Sequence, residues 1–251
     1  MNVLLVDIGN TRIKWASLTD GSLGRARAAS HAGLGPRDFE RIAGSTRNLD
    51  RILVSSVASP KLNDALALAA RRTEAPAPEL IVTRRRACGV TVAYLEPWRL
   101  GVDRFLAMIG AHECFARPVC VVGVGTAMTI DLLDADGRHR GGAIIPAPPL
   151  MVSSLLEGTS GIRQRARGGA DGRGPAMFAR STRAAVDQGA RFAAAATVDR
   201  AVSEARALLG RTPRAILTGG GACGLQPLIR ASSILVPDLV LQGLAMWART
   251  G

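Results

Sequence analysis

The chain begins with an apolar run, Val3 to Val6, stopped by Asp7, and a polar glycine turn follows at Gly9-Asn10-Thr11. β-prone residues resume at Ile13 and Trp15 and continue to Asp20-Gly21. This pattern predicts a β-hairpin over about residues 3–19. The same frame returns in the middle of the chain. Val122-Gly123-Val124-Gly125-Thr126-Ala127 lies 116 positions beyond Val6-Asp7-Ile8-Gly9-Asn10-Thr11 (122 − 6), and Asp136-Gly137 falls on Asp20-Gly21. Thr129, Ile130 and Leu132 occupy the β-prone positions of the second copy. Two such hairpins predict a duplicated domain that grips phosphate from two sides. One position breaks the match: Asp7 faces Gly123.

The rest of the pattern alternates strands and helices. A helix is expected from Gly35-Pro36, a buried strand at Arg51–Val57, a helix opened by Ser59-Pro60 and a short strand at Glu79–Thr83. Phe105, Leu106, Met108, Ile109 and His112 give one apolar face to a helix running from Asp103 to about Phe115. The second half opens at Pro118 with its hairpin, adds a strand at Gly142–Ile145, and breaks at Pro146-Ala147-Pro148-Pro149. Residues 168–174, rich in Gly and Arg, read as loop. Ser181 reads as the N-cap of a long Ala-rich helix ending at Gly210. Arg214–Thr218 is an expected strand and Leu239–Trp247 a closing helix. An opening hairpin followed by alternating elements indicates a mixed α/β sheet, once per half. The expected domains are residues 1–116 and 117–251, closely packed lobes around a cleft.

Composition narrows the class. Of 251 residues, 47% are apolar and 21% charged, enough for proper cores and against disorder. No signal peptide or membrane-length apolar run is visible, and Cys88, Cys114, Cys120 and Cys223 lack CxxC or zinc-ligand spacing. A cytoplasmic protein with free thiols and no membrane partner is expected. The net charge of +12 raises nucleic acid as a partner. Lys14 and Lys61 are the only lysines, and arginine is spread along the chain like a codon bias. The dense stretches, Arg84-Arg85-Arg86 and Arg163 to Arg173, lack interleaved aromatics for base stacking. Nucleic-acid binding is therefore not the expected role.

The chemistry concentrates at the glycine turns. Their backbone N–H groups and the hydroxyls of Thr11 and Thr126 suit an anion such as phosphate. Asp7, at the end of a buried strand, needs a partner to stay charged. A Mg²⁺ ion carried by a nucleotide and reached through water would serve, and an Asp bonded to its own hairpin backbone is the ordinary alternative. Lys14 offers a compact charge beside the turn or is a solvated strand residue.

Several segments in order resemble one family. Asp7-Ile8-Gly9-Asn10-Thr11-Arg12-Ile13-Lys14 is similar to the first phosphate motif of the type III pantothenate kinases. Gly101-Val102-Asp103-Arg104 and the upstream Tyr94 resemble that family's pantothenate-binding residues. Gly125-Thr126-Ala127-Met128-Thr129-Ile130-Asp131 resembles its second phosphate motif, and Gly141–Pro146 the strand after it. Ser181-Thr182, Thr218-Gly219-Gly220 and Asp238–Leu244 resemble a substrate-side threonine, a nucleotide-side turn and a C-terminal signature.

The resemblance implies two ribonuclease-H-like domains of the actin, sugar-kinase and heat-shock ATPase superfamily. It implies ATP-dependent phosphorylation of pantothenate, the first step of coenzyme A biosynthesis, with Mg²⁺ and a homodimeric assembly. Asp103 would be the base that takes the proton of the attacking alcohol, or else an ordinary helix cap. Arg104 would pair with the pantothenate carboxylate, or form a surface salt bridge. Tyr94, the only tyrosine, and Thr182 would touch substrate, or pack in the core and start a helix respectively. The family carries an aspartate where this chain has Gly123, and that aspartate binds potassium or ammonium. Weakened or absent monovalent-cation dependence is the resulting expectation. Two other readings stand beside it: a catalytically impaired paralogue acting as a binding or regulatory protein, and an enzyme of the same superfamily acting on another small alcohol.

Overall fold

A computed structural model describes residues 1–115, 117–167 and 176–250. The segment 168–174, expected to be loop, lies outside the described residues. The chain packs as two compact units, one from the described parts of Met1–Arg117, Leu133–Gly141 and Asp238–Gly251, the other from Pro118–Leu132 and Gly142–Pro237.

The first unit is built on a sheet whose central strand is the opening apolar run. Strands β1 (Asn2–Ile8) and β2 (Arg12–Thr19) form the expected hairpin, with Asp7 opposite Lys14. After β3 (Ser22–Leu23), β4 (Arg27–Ser30) and helix α1 (Pro36–Ala43), β5 (Arg51–Ser56) returns parallel to β1, with Ser55 beside Asp7. Helix α2 (Pro60–Arg72) then leads to β6 (Pro78–Leu80), which pairs with β5. The expected strand at Glu79–Thr83 therefore starts earlier and ends at Leu80, although Ile81 N–H still donates to Val54 O at 2.9 Å. Leu4, Val6, Ile8, Ile13, Ile52 and Val54 meet Phe39, Ile42 and Leu66 of the two helices in one core. A small hairpin, β7 (Arg86–Ala87) and β8 (Val90–Thr91), precedes helix α3 (Val102–Cys114).

The second unit repeats the design. Its sheet begins with β9 (Val119–Val124), β10 (Ala127–Leu133) and β11 (His139–Pro146), of which Leu133 and His139–Gly141 are counted with the first unit. The expected break at 146–149 ends β11 at Pro146 and is followed at once by a helix start. Helix α4 (Pro148–Gly158) places Pro148 at its first position, where the missing N–H costs nothing, and α5 (Ser160–Arg165) follows. Helix α6 (Thr182–Leu209) is closed at both ends as the sequence indicates: Ser181 Oγ accepts from Ala184 N–H at 3.2 Å, and Gly210 takes the left-handed conformation at φ 65°. Then come β12 (Arg214–Thr218), the short helix α7 (Ala222–Leu225) and β13 (Ser233–Leu235). Ala194, Val198 and Val202 of α6 close over Val122, Val124, Met128 and Leu217.

The duplication is visible in strand order. The first sheet runs β3-β2-β1-β5-β6 and the second β11-β10-β9-β12-β13, the same succession of hairpin and returning strands. The last helix, α8 (Leu239–Thr250), packs in the first unit against α3 and β1. Their contact is close. A side chain on Gly110 would sit 2.5 Å from Leu239 O, and one on Gly243 would collide with Leu106 O.

Candidate active site

Asp7, the last residue but one of β1, lies between Lys14 on β2 and Ser55 on β5 by sheet register. The residue keeps some exposure, but its Oδ1 is inaccessible and has no hydrogen-bond partner. Burial, and then the charge of Asp103, push its pKa up from 3.8 to about 6. Ser55 and then Lys14 oppose that rise. Lys14 Nζ is also 3.3 Å from Asp238 Oδ1, at the start of α8. Asp7, Lys14, Asp103 and Asp238 thus share one electrostatic environment within the first unit.

Asp103 stands in the first turn of α3, one position inside it; Gly101 is the N-cap. Its Oδ1 accepts from Arg104 N–H at 2.8 Å, and the helix N-terminus favours its ionised form. A Cβ on Gly101 would come within 2.6 Å of that carboxylate oxygen, so a larger residue there would displace the Asp103 side chain. Val102 is buried. Arg104 is not a surface residue: it is 7% exposed, its Nη1 donates to Tyr94 Oη at 3.2 Å, and its guanidinium lies 5.8 Å from the Tyr94 ring centre. The surface salt bridge considered for Arg104 is thereby corrected, as is full core packing for Tyr94, which remains partly exposed.

The first turn is held by Gly9 N–H donating to Arg12 O at 2.9 Å, leaving the side chains of Asn10, Thr11 and Arg12 exposed. Ile8 and Ile13 are fully buried in the core, so only their main chains can meet a phosphate. The second unit carries the corresponding turn, with Gly125 N–H donating to Ala127 O at 3.0 Å and Thr126 exposed. Gly123 sits beside Thr218 as Asp7 sits beside Ser55. Thr129 Oγ1 lies 2.9 Å from where a Cβ on Gly123 would stand, so a hydroxyl crowds the place an acidic side chain would enter. Thr182 is the first residue of α6, in the second unit.

A sequence model of the type III pantothenate kinases matches residues 3–204 of the chain. The chain belongs to the type III pantothenate kinases. The type III pantothenate kinase of Stenotrophomonas maltophilia (strain K279a) is 40% identical over 254 residues, covering 99% of this chain and 98% of the relative. That of Halorhodospira halophila is 37% identical over 255 residues, covering 98% and 97%. Among solved structures, a Baf family protein from Campylobacter jejuni aligns at a TM-score of 0.54 with 18% identity, covering 98% of each chain. A ROK family glucokinase from Streptomyces griseus, solved with glucose and AMPPNP, aligns at 0.52 with 13% identity over the whole of both chains. Such likenesses place the fold among the duplicated actin-like ATPases.

Several supporting residues were not singled out from the sequence of this type III pantothenate kinase. Ser55 carried no signal beyond lying in a buried strand. Asp238 lies in the segment resembling the C-terminal signature, but its contact with Lys14 spans 224 residues and leaves no local signal. Arg85 lies within a run of arginines and His139 at the start of a strand, and neither pattern points to the Tyr94 segment that both contact. Among the described residues no group of three or more His, Cys, Asp or Glu could hold a metal by itself. A divalent ion that arrives on a nucleotide, with phosphate and water filling most of its shell, fits Asp7, whose buried Oδ1 lacks a partner. No helix of the described residues is long and apolar enough to cross a membrane.

Proposed function

We propose that this chain transfers the γ-phosphoryl group of ATP to the primary alcohol of pantothenate, giving 4′-phosphopantothenate, with the first step of coenzyme A biosynthesis as its role in the cytoplasm. The observation that carries the assignment of residues is the pair of acids at one end of the first sheet. Asp7 is held near pKa 6 partly by the charge of Asp103, while Arg104, next to Asp103 at the start of α3, bonds Tyr94.

Phosphoryl transfer asks the protein for position and charge more than for covalent chemistry. Asp103 accepts the proton of the attacking hydroxyl, and the α3 terminus keeps it ionised for that task. Arg104, steadied by Tyr94, pairs its planar fork with the pantothenate carboxylate. Thr182 supplies a further hydroxyl to substrate. Main-chain N–H groups of residues 8–14, with Asn10, Thr11, Arg12 and Lys14, are phosphate-binding groups of the first unit, and Gly125 and Thr126 are those of the second. Asp7 holds Mg²⁺ through water; bound there, the ion neutralises charge on the phosphates.

The monovalent cation does not fit in the same way. Gly123 offers no carboxylate, and Thr129 Oγ1 crowds the position, so no step is assigned to potassium or ammonium. A homodimer is part of the reading: Leu95 and Trp98, 93% and 70% exposed beside Tyr94, are the apolar surface a second copy would cover. The test is an ADP-release assay with ATP, Mg²⁺ and pantothenate in sodium, potassium or ammonium buffers. Turnover dependent on pantothenate and indifferent to the cation is expected. ATP binding without turnover in any buffer would overturn it in favour of a regulatory protein.

A further inference from the structure

Tyr94 lies on a stretch of chain with no ladder to hold it. Residues 92–95 belong to no strand or helix, so their carbonyl groups need partners from elsewhere. Arg85 supplies them. Its Nη1 donates to Val92 O at 3.2 Å and to Tyr94 O at 2.5 Å, its Nη2 donates to Leu95 O at 2.6 Å, and its own carbonyl accepts from Val92 N–H at 2.9 Å. A planar guanidinium with donors on both arms can span three carbonyls in this way; an ammonium cannot match that spread.

The ring is held separately. His139, 3% exposed at the start of β11, stacks on Tyr94 with ring centres 5.9 Å apart and planes 23° apart. Its Nδ1 accepts from Ala93 N–H at 3.4 Å, and the neighbouring Thr91 N–H donates to Gly137 O at 2.9 Å. The segment thus has one clamp on its carbonyls and one on its ring and amide.

We propose that Arg85 is a positioning residue for pantothenate, fixing Tyr94 through the main chain so that Tyr94 can orient Arg104, with His139 as the support beneath the ring. This rests on the reading that Tyr94 and Arg104 bind the substrate carboxylate. Arg85 touches no reacting atom. As an exposed residue it can be removed without opening the core.

The experiment compares Arg85→Ala, Arg85→Lys, Tyr94→Phe and the neighbouring Arg86→Ala, each in the full chain. The sole tyrosine gives a second readout, since 3-fluorotyrosine labelling yields one ¹⁹F line that reports on Tyr94 alone. Arg85→Ala is expected to raise the pantothenate KM on the order of tenfold, with the ATP KM, kcat and melting temperature near those of the parent. Its ¹⁹F line should move toward the unfolded position. Arg85→Lys should recover part of both effects, and Arg86→Ala should change neither. A parental pantothenate KM and an unmoved ¹⁹F line in Arg85→Ala, with Tyr94→Phe impaired, would overturn the role of Arg85 alone. A parental pantothenate KM in Tyr94→Phe would overturn the substrate reading and this inference together. Equal rises in both KM values with a lowered melting temperature would show a merely structural role.

Discussion

Replacing Asp7 by Asn should make the protein more stable and less active, and the structure gives the size and the pH range of the gain. In the nucleotide-free protein the Asp7 pKa is about 6 against a reference of 3.8. A rise of about 2 units corresponds to ~3 kcal/mol of unfavourable ionisation at neutral pH. Part of that is offset, because the residue keeps some exposure and Lys14 loses an attractive neighbour, so the expected net gain is ~1–2 kcal/mol. In a chain of this length that is ~2–8 °C in melting temperature. The direction with pH follows from which state binds the proton more tightly. Below about pH 3.8 Asp7 is protonated both folded and unfolded, and the penalty is absent. Between about 3.8 and 6 the folded state holds the proton longer, so the penalty grows as pH rises, and above about 6 it is constant. Melting curves of parent and Asp7→Asn at several pH values should therefore coincide near pH 4, separate up to about pH 6 and stay parallel beyond. Turnover should fall at every pH. A variant less stable than its parent at pH 7.5, or a gap that does not change with pH, would refute the assignment of Asp7 as a strained carboxylate.

Asp103→Asn should lower kcat by ~10²–10⁴-fold at unchanged ATP affinity, and it should also shrink the Asp7 penalty and lower the pH at which it levels off, since the Asp103 charge contributes to the raised folded-state pKa. Steady-state kinetics and the same melting series check both halves. Gly123→Asp should make turnover respond to potassium over sodium while costing about 1–3 kcal/mol of stability from crowding against Thr129 Oγ1, a cost that Thr129→Ala relieves; cation titrations and melting curves decide it. Gly243→Ala should destabilise by at least ~1–3 kcal/mol, because the new methyl meets the Leu106 carbonyl and forces α8 away from α3; chemical denaturation measures it.

The sequence was most legible where the physics is local. Glycine turns, Asp-Gly corners, the Ser181 cap and the Gly210 stop each act over a few residues, and each falls where the pattern puts it. The repeat extends to strand order because the same hairpin followed by a returning parallel strand builds both sheets. At Pro146–Pro149 the pattern shows the end of the strand but not the helix after it, because proline has two opposite meanings: it ends β11 and also starts α4. The supports of the site were the least legible. Ser55 reaches Asp7 through parallel register, Asp238 reaches Lys14 across 224 residues, and Arg85 acts on main-chain carbonyls that leave no trace in side-chain pattern. Asp103 and Tyr94 could be singled out only by resemblance, since an acid in the first turn of a helix and a lone tyrosine are ordinary by themselves.

Helix α8 is synthesised after every element of the second unit, yet it belongs to the first. A nascent chain on the ribosome can therefore complete the second sheet while the first still lacks one wall: the face of α3 around Gly110 and the partner of Lys14 both wait for residues 238–250. The first unit is therefore complete only after the whole second unit has been translated. Until then the face of α3 that α8 covers stays open, and Lys14 lacks its contact with Asp238.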